Sequence, residues 1–183
     1  MEYSCINNES RVLEIGIGTG QATLPILNTD CHLIAVEIGD KLAEFTREKF
    51  SGYKNLEVVN KAFEEYDCPD DSVDMIYSAR AFHWIPEEIG YPKVYRLLKS
   101  GGIFARFANH PYKDKGNEPL HIAIQKVYAI YMPGTPLGEE CGTKMASYRA
   151  DTAKKYGFVD IDYKLYHRIR TFSAEDYAAL IST

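Results

Sequence analysis

The stretch Val12-Leu13-Glu14-Ile15-Gly16-Ile17-Gly18-Thr19-Gly20 decides how this chain is read. A short apolar run ends in three glycines spaced two apart, the pattern of a buried strand passing into a turn where a ligand can touch bare backbone. Outward from this stretch, apolar runs of four to six residues alternate with segments of helical period. That alternation predicts an α/β fold, a mostly parallel sheet wrapped by helices. Strands are expected at 11–15, 32–37, 56–60, 73–78 and 103–108, with helices near 21–28, 40–50 and 86–99. Pro25 suits the first turn of the first helix. Ser100-Gly101-Gly102 is expected to cap the end of the third helix.

The glycines do not match a dinucleotide fingerprint. G-x-G-x-x-G/A requires Gly or Ala three positions after the second glycine, and that position is Gln21. Glu14 would also place a carboxylate beside the charges of a pyrophosphate. A cationic ligand is better accommodated. S-adenosylmethionine, with a sulfonium, an ammonium and no phosphate, fits that requirement, and NAD(P)-dependent redox chemistry is the weaker alternative.

The 183 residues suggest a single domain spanning 1–183. Net charge is −5 and no basic block of five or more appears, which argues against a dedicated nucleic-acid surface. No apolar run approaches the roughly 18 residues that cross a membrane, and the polar N-terminus lacks a signal peptide's features. A cytoplasmic protein is expected. The four cysteines, Cys5, Cys31, Cys68 and Cys141, form no C-x-x-C pair, so neither a metal site nor a disulfide framework is expected.

After the fifth strand the chain changes character. Prolines and glycines over 109–141 surround one helix-period stretch, 120–131, and suggest an acceptor-binding insertion. A helix over 143–156 should stop at Gly157. Val159, Ile161, Tyr163 and Leu165 then alternate with polar residues, predicting a sixth strand near 159–168 with one wet face. Ser173-Ala174-Glu175-Asp176 resembles a capping box that starts a last helix.

In open α/β sheets ligands bind beyond the carboxyl ends of the strands, so the residues there are the candidates. Glu37 closes the second strand 21 residues after Gly16, where an acid can accept both ribose hydroxyls; the alternative is an ordinary carboxylate at a helix start. Phe63 and Glu64 follow the third strand, where they frame an adenine edge or, for Phe63, pack in the core. Beyond the fourth strand, His83 and Trp84 stand where a group would be transferred. Trp84 has a core-anchor alternative.

Together the segments V-L-E-I-G-I-G-T-G-Q-A-T and P-D-D-S-V-D-M-I-Y-S-A-R-A-F-H-W-I resemble the class I S-adenosylmethionine-dependent methyltransferases, in particular the type 11 group that includes trans-aconitate methyltransferase. The resemblance implies a Rossmann-like three-layer sandwich with strand order 3-2-1-4-5-7-6, the seventh strand antiparallel. It also implies that Glu14, Gly16, Gly18 and Gly20 hold the methionine portion, with Ser78 and Ala79 beside it, that Glu37 holds the ribose, and that Phe63 and Glu64 border the adenine. Relative to that pattern the chain is expected to be shortened at both ends and to lack the seventh strand. An unpaired sheet edge then invites self-association into a homo-oligomer.

Methyl transfer from a sulfonium is an in-line displacement in which the protein mainly aligns the reactants. A small-molecule acceptor is expected. His83 is the candidate base for an acceptor that needs deprotonation, with His110 a weaker one. His83, Trp84, His110 and Tyr128 are candidate acceptor contacts; Tyr112 and Tyr131 belong with them or serve in packing. Arg80 and Arg106 are candidates for an acidic acceptor, or structural. The competing non-catalytic reading is a shortened methyltransferase-like domain that binds cofactor or a partner chain.

Overall fold

The computed structural model describes residues 6–109, 118–133 and 143–181. They fall into two compact units, one of 6–109 with 152–159 and the other of 118–133, 143–151 and 160–181. The first holds a five-stranded, all-parallel sheet: β1 (Arg11–Ile15), β2 (His32–Glu37), β3 (Leu56–Asn60), β4 (Val73–Ala79) and β5 (Leu98–Phe107). Their order is β3-β2-β1-β4-β5, that of a Rossmann-like α/β sheet. Helices α1 (Thr23–Leu27), α2 (Asp40–Lys49) and α3 (Glu87–Leu97) connect the strands, with a 3-10 turn at Phe82–Trp84. In the second unit α4 covers Glu118–Tyr131 and α6 covers Ala174–Ile181, while α5, Thr143–Lys155, runs from that unit into the first.

The order follows from patterning. β1 is central, so both of its faces are covered and Val12 to Ile15 are all buried. Period-two alternation sends Leu13 and Ile15 into one core with Ile76, Phe82, Tyr91 and Val94. Val12 joins Leu33, Phe50, Met75 and Tyr77 in the other. Each such fully buried aliphatic side chain stabilises the fold by about 1.5–3 kcal/mol. From β1 the chain crosses to β2 and β3 on one side, then returns to place β4 on the other. The carboxyl ends of β1 and β4 therefore flank the switch point, where such sheets open a crevice.

Two boundaries differ from expectation. Helix α3 ends at Leu97 rather than 99, and Leu98 already pairs with Val73 as the first residue of β5. The glycines 101 and 102 lie inside that longer strand, at a register shift, rather than at a helix cap. They are required by crowding: a Cβ on Gly102 would lie 2.9 Å from the Lys99 carbonyl oxygen and 3.2 Å from that of Asp74, while Gly101 takes φ +78°.

The expected strand at 159–168 is absent; among the described residues 159–172 carry no regular structure. A strand needs a partner edge and continuous extended dihedrals, whereas Asp160 sits at φ 50°. Before it, α5 ends at Lys155, and Gly157 follows at φ +93°. Tyr156 then stacks on Tyr91 at 5.1 Å, and Phe158 packs edge-on against Tyr95 at 5.5 Å. The apolar residues beside Gly157 thus serve the α3 face. Within the second unit Ser173 caps α6 as expected, its hydroxyl accepting from the Asp176 N–H at 3.0 Å.

Gly102→Ala is expected to lower stability by about 1–3 kcal/mol, because the added methyl overpacks a closed backbone junction. Gly52→Ala, whose Cβ meets no atom within 4 Å, should stay near wild type; urea denaturation of both variants checks the contrast.

Candidate functional site

The glycine turn leaves β1 with Gly16, Gly18 and Gly20 at φ of 75°, 55° and 74°. Their surroundings differ. A Cβ on Gly16 would lie 2.2 Å from the Ala81 Cβ, and one on Gly20 would lie 2.3 Å from the Phe50 ring. Those two glycines let β1 approach the segment after β4 and the end of α2. At Gly18 a Cβ would meet open space, and its N–H points to Glu37.

Glu37, 6% exposed, accepts from the Gly18 N–H through Oε2 and from the Gly39 N–H through Oε1, both at 2.9 Å. Its own carbonyl accepts from the Lys61 N–H and the Asn60 side-chain amide. The carboxylate is therefore rigidly oriented, and each oxygen keeps acceptor capacity for a further donor.

Glu14 is 1% exposed, and the Thr23 hydroxyl donates to its Oε2 at 2.8 Å. Burial pushes its pKa up to about 7; the bonding from Thr23 opposes the rise, and the Glu37 charge adds to it. Tyr77, on the same face, buries a hydroxyl with no hydrogen-bond partner among the described residues. Burial and then the Glu14 charge push its pKa far up.

Glu14 borders a cavity of about 520 Å³ inside the first unit, while Glu37 and Tyr77 are not among its lining residues. Glu14 and residues 16–19, 21 and 22 form the β1 wall; Ala79 and Arg80 come from the end of β4, and residues 107–109 from the end of β5. Arg80 adopts φ 72°, with its N–H on the Phe107 carbonyl at 3.1 Å. The left-handed region costs a residue with a Cβ about 1–2 kcal/mol.

The remaining candidates separate into groups. Ser78 is a buried tie: its hydroxyl donates to the Ile15 carbonyl at 2.9 Å and accepts from the Phe82 N–H at 3.0 Å, holding the turn after β4 against β1. Ala79 lines the cavity. Phe63 is buried in the core that contains Phe82 and Tyr91, whereas Glu64 is exposed. His83 and Trp84 form the 3-10 turn, ring centres 4.7 Å apart, and are not among the cavity's lining residues. Trp84 is 80% exposed; the core anchor of this segment is Phe82, at 4%. The Arg106 guanidinium stacks 4.8 Å from the Phe82 ring centre and donates to the Tyr91 hydroxyl. Tyr128 lies on α4 in the second unit, and His110 and Tyr112 fall outside the described residues.

Sequence reasoning missed Thr23 and the 107–109 wall. The strand-end rule that finds Glu37 also points to the end of β5, expected at 108, but the residue it selects there is His110 rather than 107–109. Thr23 carried no signal, because its role depends on α1 folding back over Glu14.

Glu14→Gln tests the buried carboxylate. With its folded pKa raised toward 7, Glu14 holds a proton in the folded state that it loses on unfolding above about pH 4.5. Its contribution is fully present below that pH and is lost as pH rises through 7, a difference on the order of 3 kcal/mol. The variant should therefore melt higher than wild type at pH 8 and near it at pH 4.5, as thermal denaturation at the two pH values will show.

The profile of a family described as methyltransferase domain matches residues 12–102. An uncharacterised methyltransferase of Schizosaccharomyces pombe is 26% identical over all of this chain and 67% of its own length. A probable ribosomal RNA small subunit methyltransferase A of Methanopyrus kandleri is 31% identical over 54% of this chain and 34% of its own. Among solved structures, a phosphoethanolamine N-methyltransferase of Haemonchus contortus, in complex with phosphomonomethylethanolamine and S-adenosylhomocysteine, superposes with a TM-score of 0.59 at 18% identity. That match covers 87% of this chain and 35% of the other. The chain spans from about a third to two thirds of the length of the first curated relatives it matches. Sheet order, glycine turn and sequence matches agree, and residues 12–102 of the chain form a methyltransferase domain of Rossmann-like fold.

Proposed function

We propose that this chain binds S-adenosylmethionine in the cavity between β1 and β4 and transfers its methyl group to a small-molecule acceptor. The observation that carries the reading is the pairing of a buried carboxylate, Glu14, just before the glycine turn with a pre-oriented one, Glu37, that accepts from the Gly18 N–H in its middle. A sulfonium and an ammonium offset the cost of ionising Glu14, and two ribose hydroxyls use the acceptor capacity left on Glu37. Gly16, Gly18 and Ala79 keep the cavity wall low enough for close approach, Gly20 lets the turn close against Phe50, and Ser78 fixes the wall from behind. Glu64, with the edge of Phe63, borders the adenine.

When bound, the cofactor supplies an activated methyl carbon and a neutral thioether leaving group. The chain's part is alignment, which is worth up to roughly 7–11 kcal/mol for a well-oriented pair. For an acceptor that must lose a proton, His83 is the base. Trp84, His110 and Tyr128 contribute acceptor contacts. The absence of a basic block in the sequence supports a small acceptor over nucleic acid, and the free thiols Cys31 and Cys68 accord with a cytoplasmic setting. No described helix is long and apolar enough to cross a membrane.

A second reading, a domain that binds cofactor without turnover, draws on one observation: among the described residues β5 is paired only on its β4 edge. A homo-oligomer that covers this edge, together with inactivity toward both small acceptors and ribosomal RNA, would favour it.

Titration calorimetry should detect S-adenosylhomocysteine binding and no NADH binding; absence of heat and of a thermal shift at millimolar ligand sinks the cofactor assignment. Glu37→Ala should weaken binding by about 1–3 kcal/mol, the scale of lost hydrogen bonds to a charged group. His83→Ala should leave that affinity near wild type while lowering turnover of any acceptor that needs deprotonation.

A further inference from the structure

Two of the three walls of the cavity carry one ionisable side chain each. Among the described lining residues Glu14 is the sole carboxylate and Arg80 the sole cation, the first from the end of β1 and the second from the end of β4. A ligand with an ammonium and a carboxylate on one carbon matches such a pair, and the cofactor proposed above ends in that group. We propose that Arg80 recognises the α-carboxylate at the amino-acid end of the cofactor, opposite Glu14. This rests on the cofactor reading and names a residue that the glycine turn and the acids do not include.

The backbone at Arg80 supports the assignment. Four non-glycine residues among those described have positive φ: Asp30, Asp71, Arg80 and Asp160. Aspartate visits this region readily because its short side chain bonds locally; arginine has no such compensation. The strained position is also the one that lines the cavity, where conformational strain tends to be kept for function. Ala79 and Ala81 on either side are small, and the Ala81 methyl is packed where a Gly16 side chain would otherwise be. That contact bars movement toward β1, and the Ser78 hydroxyl, which donates to the Ile15 carbonyl and accepts from the Phe82 N–H, holds the turn from moving away to relieve Arg80.

Among the described residues the guanidinium is also uncommitted. The ion pairs among the described residues engage Arg96 and Lys99, not Arg80. Arg106, one strand away, is held by the Phe82 ring and the Tyr91 hydroxyl and is not a lining residue. A planar fork of N–H donors fits a carboxylate in a bidentate manner, which a lysine or an amide at this position would not reproduce.

Glycine is the informative substitution, because it accepts φ 72° and removes only the side chain. Wild type, Arg80→Gly and Arg80→Gln are titrated with S-adenosylmethionine and with decarboxylated S-adenosylmethionine, which keeps the sulfonium and ammonium and lacks the carboxylate. Wild type is expected to prefer the carboxylated ligand by about 10- to 100-fold, the range of hydrogen bonds to a charged group. Both variants should lose that preference to within about twofold, through weaker binding of the carboxylated ligand alone. Arg80→Gly should melt at or above the wild-type temperature. Equal affinity of wild type and variants for S-adenosylmethionine overturns the inference while leaving the cofactor reading intact, and so does an equal loss of both ligands. Failure of wild type to bind either ligand overturns the cofactor reading itself.

Discussion

The close approach of β1 to the segment after β4 is the constraint on which the rest of the site depends. At Gly16 there is no room for a Cβ, because the Ala81 methyl occupies its place. Ser78 draws the same two segments together by donating to the Ile15 carbonyl and accepting from the Phe82 N–H. The sheet order makes this junction necessary, since β1 is the strand from which the connections depart in opposite directions. Everything that lines the cavity hangs from it: the glycine turn on one side, Ala79 and Arg80 on the other.

Charge is distributed around that junction at a cost to the folded protein. Glu14 lies on the covered face of a central strand, with one hydroxyl donor and a neighbouring carboxylate, and burial holds it near neutrality. Among the described residues the Tyr77 hydroxyl, buried on the same face, has no hydrogen-bond partner. Arg80 keeps a left-handed backbone. Each feature is unfavourable in isolation, and all three sit on or against the β1–β4 crevice. A cationic, zwitterionic ligand addresses the first and third directly, which is why the proposed cofactor agrees with the electrostatics as well as with the shape.

Legibility in the sequence varied with how local the cause was. The first three strands and α2 could be read from apolar runs and periodicity because their burial follows from their own side chains. The α3–β5 boundary could not, because Ser100-Gly101-Gly102 has the composition of a helix cap, while the crowding that requires Gly102 comes from the Lys99 and Asp74 carbonyls. The alternation at 159–165 suggested a strand, yet alternation supplies no partner edge, and Asp160 departs from extended geometry. Likewise Phe82 and Trp84 are both large aromatics in one segment. Only the direction of the 3-10 turn decides that Phe82 enters the core and Trp84 faces outward.

By itself the sequence determined the parallel α/β architecture, the glycine turn and the acids at the ends of β1 and β2, because strand period and glycine spacing are properties of neighbouring residues. The tertiary structure alone decided that Glu14 is buried beneath Thr23, that Glu37 is fixed by the Gly18 and Gly39 N–H groups, and that Arg80 shares a cavity with Glu14. Those relations join residues up to 66 positions apart, from Glu14 to Arg80. Only the crossing of the chain at the switch point brings them within reach, and no local pattern encodes that distance.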